Sequence, residues 1–270
     1  MIENQPQQQL RLRVFAGPNG SGKSTIIKAV RDARPNGTPI GFGTYINADE
    51  LAFMLKEGGI PLDQFGLQLT IDQILNILES SGLLNEQLST DTLKGFLQVN
   101  SSAIVLHKPE WVEPVAQMIA YIFREILLSQ HQRFSFETVF SHPSKLDIMR
   151  RAKEAGYKVY LYYVATEDPE INKFRVKHIR VPMGGHDVPA EKIESRYFRS
   201  LDLLYDAAQL AYQAYFFDNS DDGGSHRLFA HFKVTGDQKN WTTPDNSRIP
   251  VWFQKYYFKK VAEKLNPLGG

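Results

Sequence analysis

Residues 17 to 24 read Gly17-Pro18-Asn19-Gly20-Ser21-Gly22-Lys23-Ser24 and satisfy every position of G-x-x-x-x-G-K-S. Few short strings constrain a fold so tightly, because this one works only between a buried strand and the first turn of a helix. Both flanks comply. Upstream, Leu10-Arg11-Leu12-Arg13-Val14-Phe15-Ala16 alternates apolar and basic residues and then turns wholly apolar, as a strand does on entering a buried parallel sheet. Downstream, Ile26, Ile27 and Val30 are spaced for one helix face. A loop so placed turns backbone amides and a helix N-terminus toward a single anion, so Gly17 to Thr25 are expected to hold the phosphates of a nucleoside triphosphate, ATP or GTP. Lys23 then reaches the β- and γ-phosphates. Ser24 offers its hydroxyl to Mg2+, an ion that takes few protein ligands and completes its shell with phosphate and water.

The chain has 270 residues, room for one large α/β domain with an insertion. Lys and Arg number 31 against 30 Asp and Glu, so no overall basic field recommends nucleic acid as a partner. With no cysteine there are no disulfides, thiolate nucleophiles or Cys-based zinc sites. Met1 to Gln9 is polar and Gln-rich, unlike a secretory signal, and no apolar run approaches the length of a membrane span. The expectation is a cytoplasmic protein.

Past a turn cluster at Arg34 to Pro39, a second strand is expected around Thr44 to Asn47, then a helix through Leu51 to Leu55. Asp49 thus falls at a strand end, the edge of an open parallel sheet where ligands bind. From about 58 to 108 the strand and helix alternation lapses, and amphipathic helices near Leu69 to Leu78 and Glu86 to Phe96 suggest a helical insertion on the substrate side. A longer helix is expected at Pro109 to Ser129, then a strand at Arg133 to Phe140. Tyr157 to Ala165 is the most strand-like run, which predicts a central place. Asp168-Pro169-Glu170 opens a further helix. One helix over Ala190 to Ala214 should lead to a last strand at Tyr215 to Asn219, and the tail from 221 should add one or two strands and close on a helix near Val251 to Leu265. The fold class is therefore α/β, a parallel sheet flanked by helices of the P-loop NTPase, nucleotide-kinase-like kind, read as a single domain with a C-terminal extension.

A phosphate loop alone does not separate a kinase from a switch, so charges at the sheet edge must decide. Asp49 could accept the proton of an attacking hydroxyl, or Asn47 or Asp49 could simply cap the helix. Glu137, beside Thr138 in an aromatic strand, needs a compensating partner: a substrate hydroxyl, a magnesium-bound water, or a neighbouring lysine or arginine. The basic run from Arg175 to Arg180, with Gly184-Gly185-His186-Asp187-Val188-Pro189 beyond it, could be a mobile cover whose arginines close on a γ-phosphate, or a solvated helix face. His178 and His186 fit hydrogen bonding within that segment better than metal ligation.

These pieces in this order, Gly17 to Thr25, Ile46-Asn47-Ala48-Asp49, Phe136-Glu137-Thr138 and Arg175 to Pro189, resemble the zeta toxin family of P-loop kinases. The resemblance spans roughly residues 10 to 220. It implies an ATP- or GTP-dependent kinase, some relatives of which phosphorylate the 3′-hydroxyl of UDP-N-acetylglucosamine, and it implies an antitoxin protein as a partner. Carried over by position, it makes Asp49 the catalytic base, Lys23 and Ser24 the phosphate and magnesium ligands, Glu137 and Thr138 the substrate-pocket acid and hydroxyl, and Arg175 and Arg180 the γ-phosphate arginines. The two arginines stand closer together than in the family pattern, and the stretch between Asp49 and Glu137, where acceptor specificity would be built, is longer. A nucleotide-dependent switch or adaptor, binding a protein through the insertion and aromatic tail, is the other reading.

Overall fold

The computed structural model describes residues 9–185, 187–221, 226–243 and 248–265. In chain order they form β1 (Arg11–Ala16), α1 (Lys23–Asp32), β2 (Thr44–Ile46), α2 (Ala48–Lys56), β3 (Ile60–Pro61), α3 (Ile71–Glu79), α4 (Thr90–Lys94), β4 (Leu97–Val99), β5 (Ala103–Leu106), α5 (Val112–Ser129) and β6 (Phe134–Thr138). There follow α6 (Ser144–Glu154), β7 (Lys158–Ala165), α7 (Pro169–Arg175), α8 (Ala190–Asp202), α9 (Leu204–Leu210), β8 (Gln213–Asp218), β9 (Arg227–Thr235) and β10 (Gln238–Thr242), with a helical segment over 251–265. The chain divides into two compact units, Met1–Gly41 with Glu137–Gly270, and Phe42–Phe136.

In the first unit the strands run in the order β10-β9-β8-β7-β1. β1, β7 and β8 are parallel, with Ala16 opposite Tyr163 and Ala165 opposite Asp218, so their C-terminal ends lie along one edge. β7 is central, as its β-branched and aromatic content requires, and α1, α6 and α9 pack against it. Arg13 does not face water as the alternation near the N-terminus suggests. Its guanidinium is buried over the Tyr160 ring at 4.5 Å and donates to the Gly41 carbonyl and the Tyr162 hydroxyl.

The tail adds β9 and β10, both antiparallel, to the parallel core. Phe216, Phe229, Phe232 and Trp252 are buried there around Phe253, which lies 4.9 Å from Phe216 and 4.8 Å from Tyr257. The single helix expected over 190 to 214 is two, α8 and α9. Tyr212 already donates its amide to Val159 of β7, so the ladder begins there and ends the helix early.

In the second unit α5 is buried along most of its length, with α2, α3 and β2 packed on it and Phe65 against Phe123 at 4.9 Å. Thr70 and Gln73 close a reciprocal capping box that starts α3. Besides α3 and α4, the stretch from 58 to 108 contains a three-stranded antiparallel sheet in the order β3-β5-β4. β6 begins in this unit, where Phe134 and Phe136 pair with Thr44 and Ile46 of β2, and its last residues, Glu137 and Thr138, belong to the first.

Candidate functional site

The loop that leaves β1 is the centre of the first unit's strand-end edge. Gly17 and Gly22 have φ of 146° and 93°, and neither could be replaced cheaply. A Cβ on Gly17 would stand 2.0 Å from the Val164 carbonyl oxygen, and one on Gly22 would stand 2.5 Å from side-chain nitrogens of Asn219 and His226. The chain therefore wraps tightly enough that α1 starts at Lys23 with its first amides turned into the loop. Lys23 is buried, its ammonium donating to the Pro18 carbonyl at 3.0 Å and lying 3.7 Å from a Glu137 carboxylate oxygen. A compensating charge for Glu137 is thus the lysine of the loop. Pro18, Asn19 and Ser21 are buried as well, while Ser24 and Thr25 face solvent in the first turn of α1.

Two other segments reach this edge. After β7, Asp168 caps α7 by accepting from the Glu170 amide at 2.8 Å, as the Asp-Pro-Glu pattern predicts. Asn172, on α7, is wholly buried; its amide nitrogen donates to the Asn19 carbonyl and its amide oxygen accepts from the Thr166 hydroxyl. After β8, Asn219 donates to the Ser21 carbonyl at 2.9 Å, and His226 donates through Nε2 to the Gly22 carbonyl at 3.0 Å. Burial holds the His226 imidazole below its ordinary 6.5; the bond to Gly22 opposes that shift and the charge of Arg175 adds to it. Arg175 closes the ring of contacts by donating to the Asn219 and Asp221 carbonyls at 2.6 and 3.2 Å.

The remaining candidates make the following local contacts. The Thr138 hydroxyl accepts from the Phe140 amide at 3.1 Å and so supports a buried residue at φ 59°, a conformation costly for a side chain of that size. Arg180 ends a π-helical turn, Val176–Arg180, that continues α7, and the Gly185 amide folds back onto its carbonyl at 2.9 Å. His178 stacks near Phe174, with ring centroids 4.7 Å apart. His186 lies outside the described residues. Asp49 belongs to the second unit, solvent-exposed in the first turn of α2, and it is not the cap: Asn47 takes that place and accepts the Asp49 amide at 2.8 Å. No group of three or more His, Asp or Glu suited to a metal ion occurs among the described residues. The exposed Ser24 hydroxyl, with phosphate and water, would make a donor set that suits magnesium. Sequence reasoning did not reach Asn172, Asn219 or His226, which stand 153, 198 and 204 positions from the loop residues they hold.

A parallel sheet whose first strand runs through a glycine-rich loop into the N-terminus of α1 defines a phosphate-loop α/β protein. Two solved structures share this fold. A chain in the crystal structure of AvrRxo1-ORF1:AvrRxo1-ORF2 with sulphate ions matches 92% of this chain and 63% of its own length, at 17% identity and a TM-score of 0.50. A native form of the same complex gives 16% identity, the same coverage and a TM-score of 0.51. A slighter likeness, too low to argue from, is to the PezAT chromosomal toxin-antitoxin system of the human pathogen Streptococcus pneumoniae, with a TM-score of 0.46 at 13% identity over 99% of this chain and 90% of that one. In sequence, 70 residues are 37% identical to an uncharacterized protein of Haemophilus influenzae, a match over 26% of this chain and 49% of that protein. The chain thus spans less than two thirds of the AvrRxo1 chain and about half of the curated relative. No family model matches.

Proposed function

We propose that this protein is an ATP- or GTP-dependent kinase of the zeta toxin type, transferring the γ-phosphate to a hydroxyl of a small molecule. One observation carries the reading: a buried lysine is held inside a tightly wrapped glycine loop at the edge where β1, β7 and β8 end. Lys23 and the loop amides would neutralise the β- and γ-phosphates, and the cationic segment from Arg175 to Arg180 would cover charge that develops on the transferring group. Ser24 would hold magnesium, which would supply Lewis-acid stabilisation of charge on the phosphates. Glu137, released from Lys23 as phosphate takes the ammonium, would bind the acceptor together with Thr138. Asp49, exposed in the first turn of α2, would act as general base toward the acceptor hydroxyl.

The fold shared with the AvrRxo1 structures, one of them crystallised with sulphate ions, is in keeping with an anion-binding loop, and the two-component makeup of those crystals is in keeping with an antitoxin-type protein partner. A nucleotide-linked sugar such as UDP-N-acetylglucosamine is the first acceptor to test. No described helix is long and apolar enough to cross a membrane. The test is ATP consumption with and without a panel of nucleotide sugars and other hydroxylated metabolites. Turnover that requires an acceptor and is lost in Asp49→Ala, with ATP binding kept, bears the proposal out. Turnover indifferent to every acceptor and to Asp49 would favour the switch or adaptor reading instead.

A further inference from the structure

In a loop whose amides turn inward to an anion, the carbonyls must turn outward, and a buried carbonyl without a donor is costly. Here that requirement is met by side chains from distant parts of the chain. The ammonium of Lys23 takes the Pro18 carbonyl, Asn172 that of Asn19, Asn219 that of Ser21 and His226 that of Gly22. Gly22 also accepts the first amides of α1, so His226 shares that carbonyl with the helix start.

We infer that Asn172, Asn219 and His226 are positioning residues of the phosphate loop, holding its carbonyls outward so that its amides face the anion before any nucleotide arrives. This deepens the kinase reading and rests on it. Two of the donors are themselves fixed. The Thr166 hydroxyl orients the Asn172 amide, and Thr166 and Asn172 are wholly buried. Asn219 is held at both backbone ends, its amide on Ala165 and its carbonyl on Arg175. A carbonyl only accepts, so the hydrogen of His226 sits on Nε2. The motif glycines are explained by the same contacts, since a Cβ on Gly20 would stand 2.6 Å from the Asn172 carbonyl and one on Gly22 would strike Asn219 and His226. Asn172 and Arg175 lie three positions apart on α7, so that helix is fastened to the loop at one point and to the segment after β8 at the other.

Inorganic tripolyphosphate probes the loop without base or ribose. Calorimetry on the full chain should show Asn219→Ala and His226→Ala binding it about tenfold more weakly, the loss expected when a fixed hydrogen bond is removed. His226→Gln, which returns an amide donor near the Nε2 position, should bind close to wild type. Hydrogen exchange of the amides of 19–24 should quicken in the alanine variants while the sheet amides of β7 keep their protection, a pattern that mere loss of stability does not produce. Asn172→Ala, the most buried change, is read only by exchange if it does not bind. Unchanged tripolyphosphate affinity in Asn219→Ala and His226→Ala, or weakening that His226→Gln fails to rescue and that tracks general unfolding, overturns the inference. Affinity losses as expected in a protein that transfers no phosphoryl group would sink the kinase reading alone, and a wild-type chain that binds no tripolyphosphate would sink both.

Discussion

Lys23 is a charge held ready: taken out of water, bonded to its own loop and paired with Glu137. The pairing separates its role in binding from its role in stability. Lys23→Ala should cut triphosphate affinity by about 100-fold or more, since it removes the strongest cation at the phosphate. It should also lower stability modestly, because Glu137 then loses the ammonium beside it in a mostly covered place. Lys23→Ala with Glu137→Gln should restore the stability and leave binding lost, which paired calorimetry and denaturant titration would read; recovery of binding in that double variant would contradict the assignment. Of the residues at this edge, the glycines, Lys23 and the Asp168 cap were legible in sequence, because each obeys a rule confined to a few neighbouring positions. Asn172, Asn219 and His226 were not, because nothing local distinguishes an asparagine that holds a loop from one that ends a strand. A closer reading could have noticed that Asn219 follows β8 directly, at the edge where ligands bind.

At the scale of elements, the tail is tied to the strand-end edge by Glu167. Its carboxylate accepts the amides of Val251 and Trp252 at 2.8 and 3.1 Å, capping the N-terminus of the helical segment 251–265. Glu167→Gln keeps the shape and removes the charge, so it should cost about 1 kcal/mol in denaturant unfolding; no change would mean that the aromatic packing around Phe253 alone seats the segment. A second device sits on β10, where Lys239 lies over the Phe232 ring at 4.8 Å and donates to Gln209. Burial, with the charge of Lys153 added, pulls its ammonium down to about 8 from 10.5. The unfolded chain thus holds a proton that the folded chain has released between those values, so stability should rise with pH across roughly 8 to 10.5. Lys239→Met should flatten that slope in thermal melts, and an unaltered slope would place the titration elsewhere. Long elements such as α5 and β7 were legible from their periodicity. β3, β4 and β5 were not, since two to four residues are too few to display alternation. The break between α8 and α9 escaped too, because the apolar residues on either side of Leu203 read as one stripe until the sheet claims Tyr212.

For the whole molecule, the first unit draws the loop after β1, the N-terminus of α7 and the segment after β8 to one edge by aligning the ends of parallel strands, which is why a few short motifs sufficed to foretell the fold. Net charge near zero leaves recognition to that edge rather than to a long-range field. A switch built on the same loop would release phosphate to water, whereas a kinase must keep water out and present an alcohol, so the fate of the terminal phosphate separates the two accounts. The most direct measurement follows the γ-phosphoryl group of 18O-labelled ATP incubated with the protein and a metabolite extract, read by mass spectrometry. The account predicts that the label leaves ATP as a phosphoester on a hydroxylated small molecule, with Lys23→Ala inert; label recovered only as inorganic phosphate, or left in ATP, would contradict it.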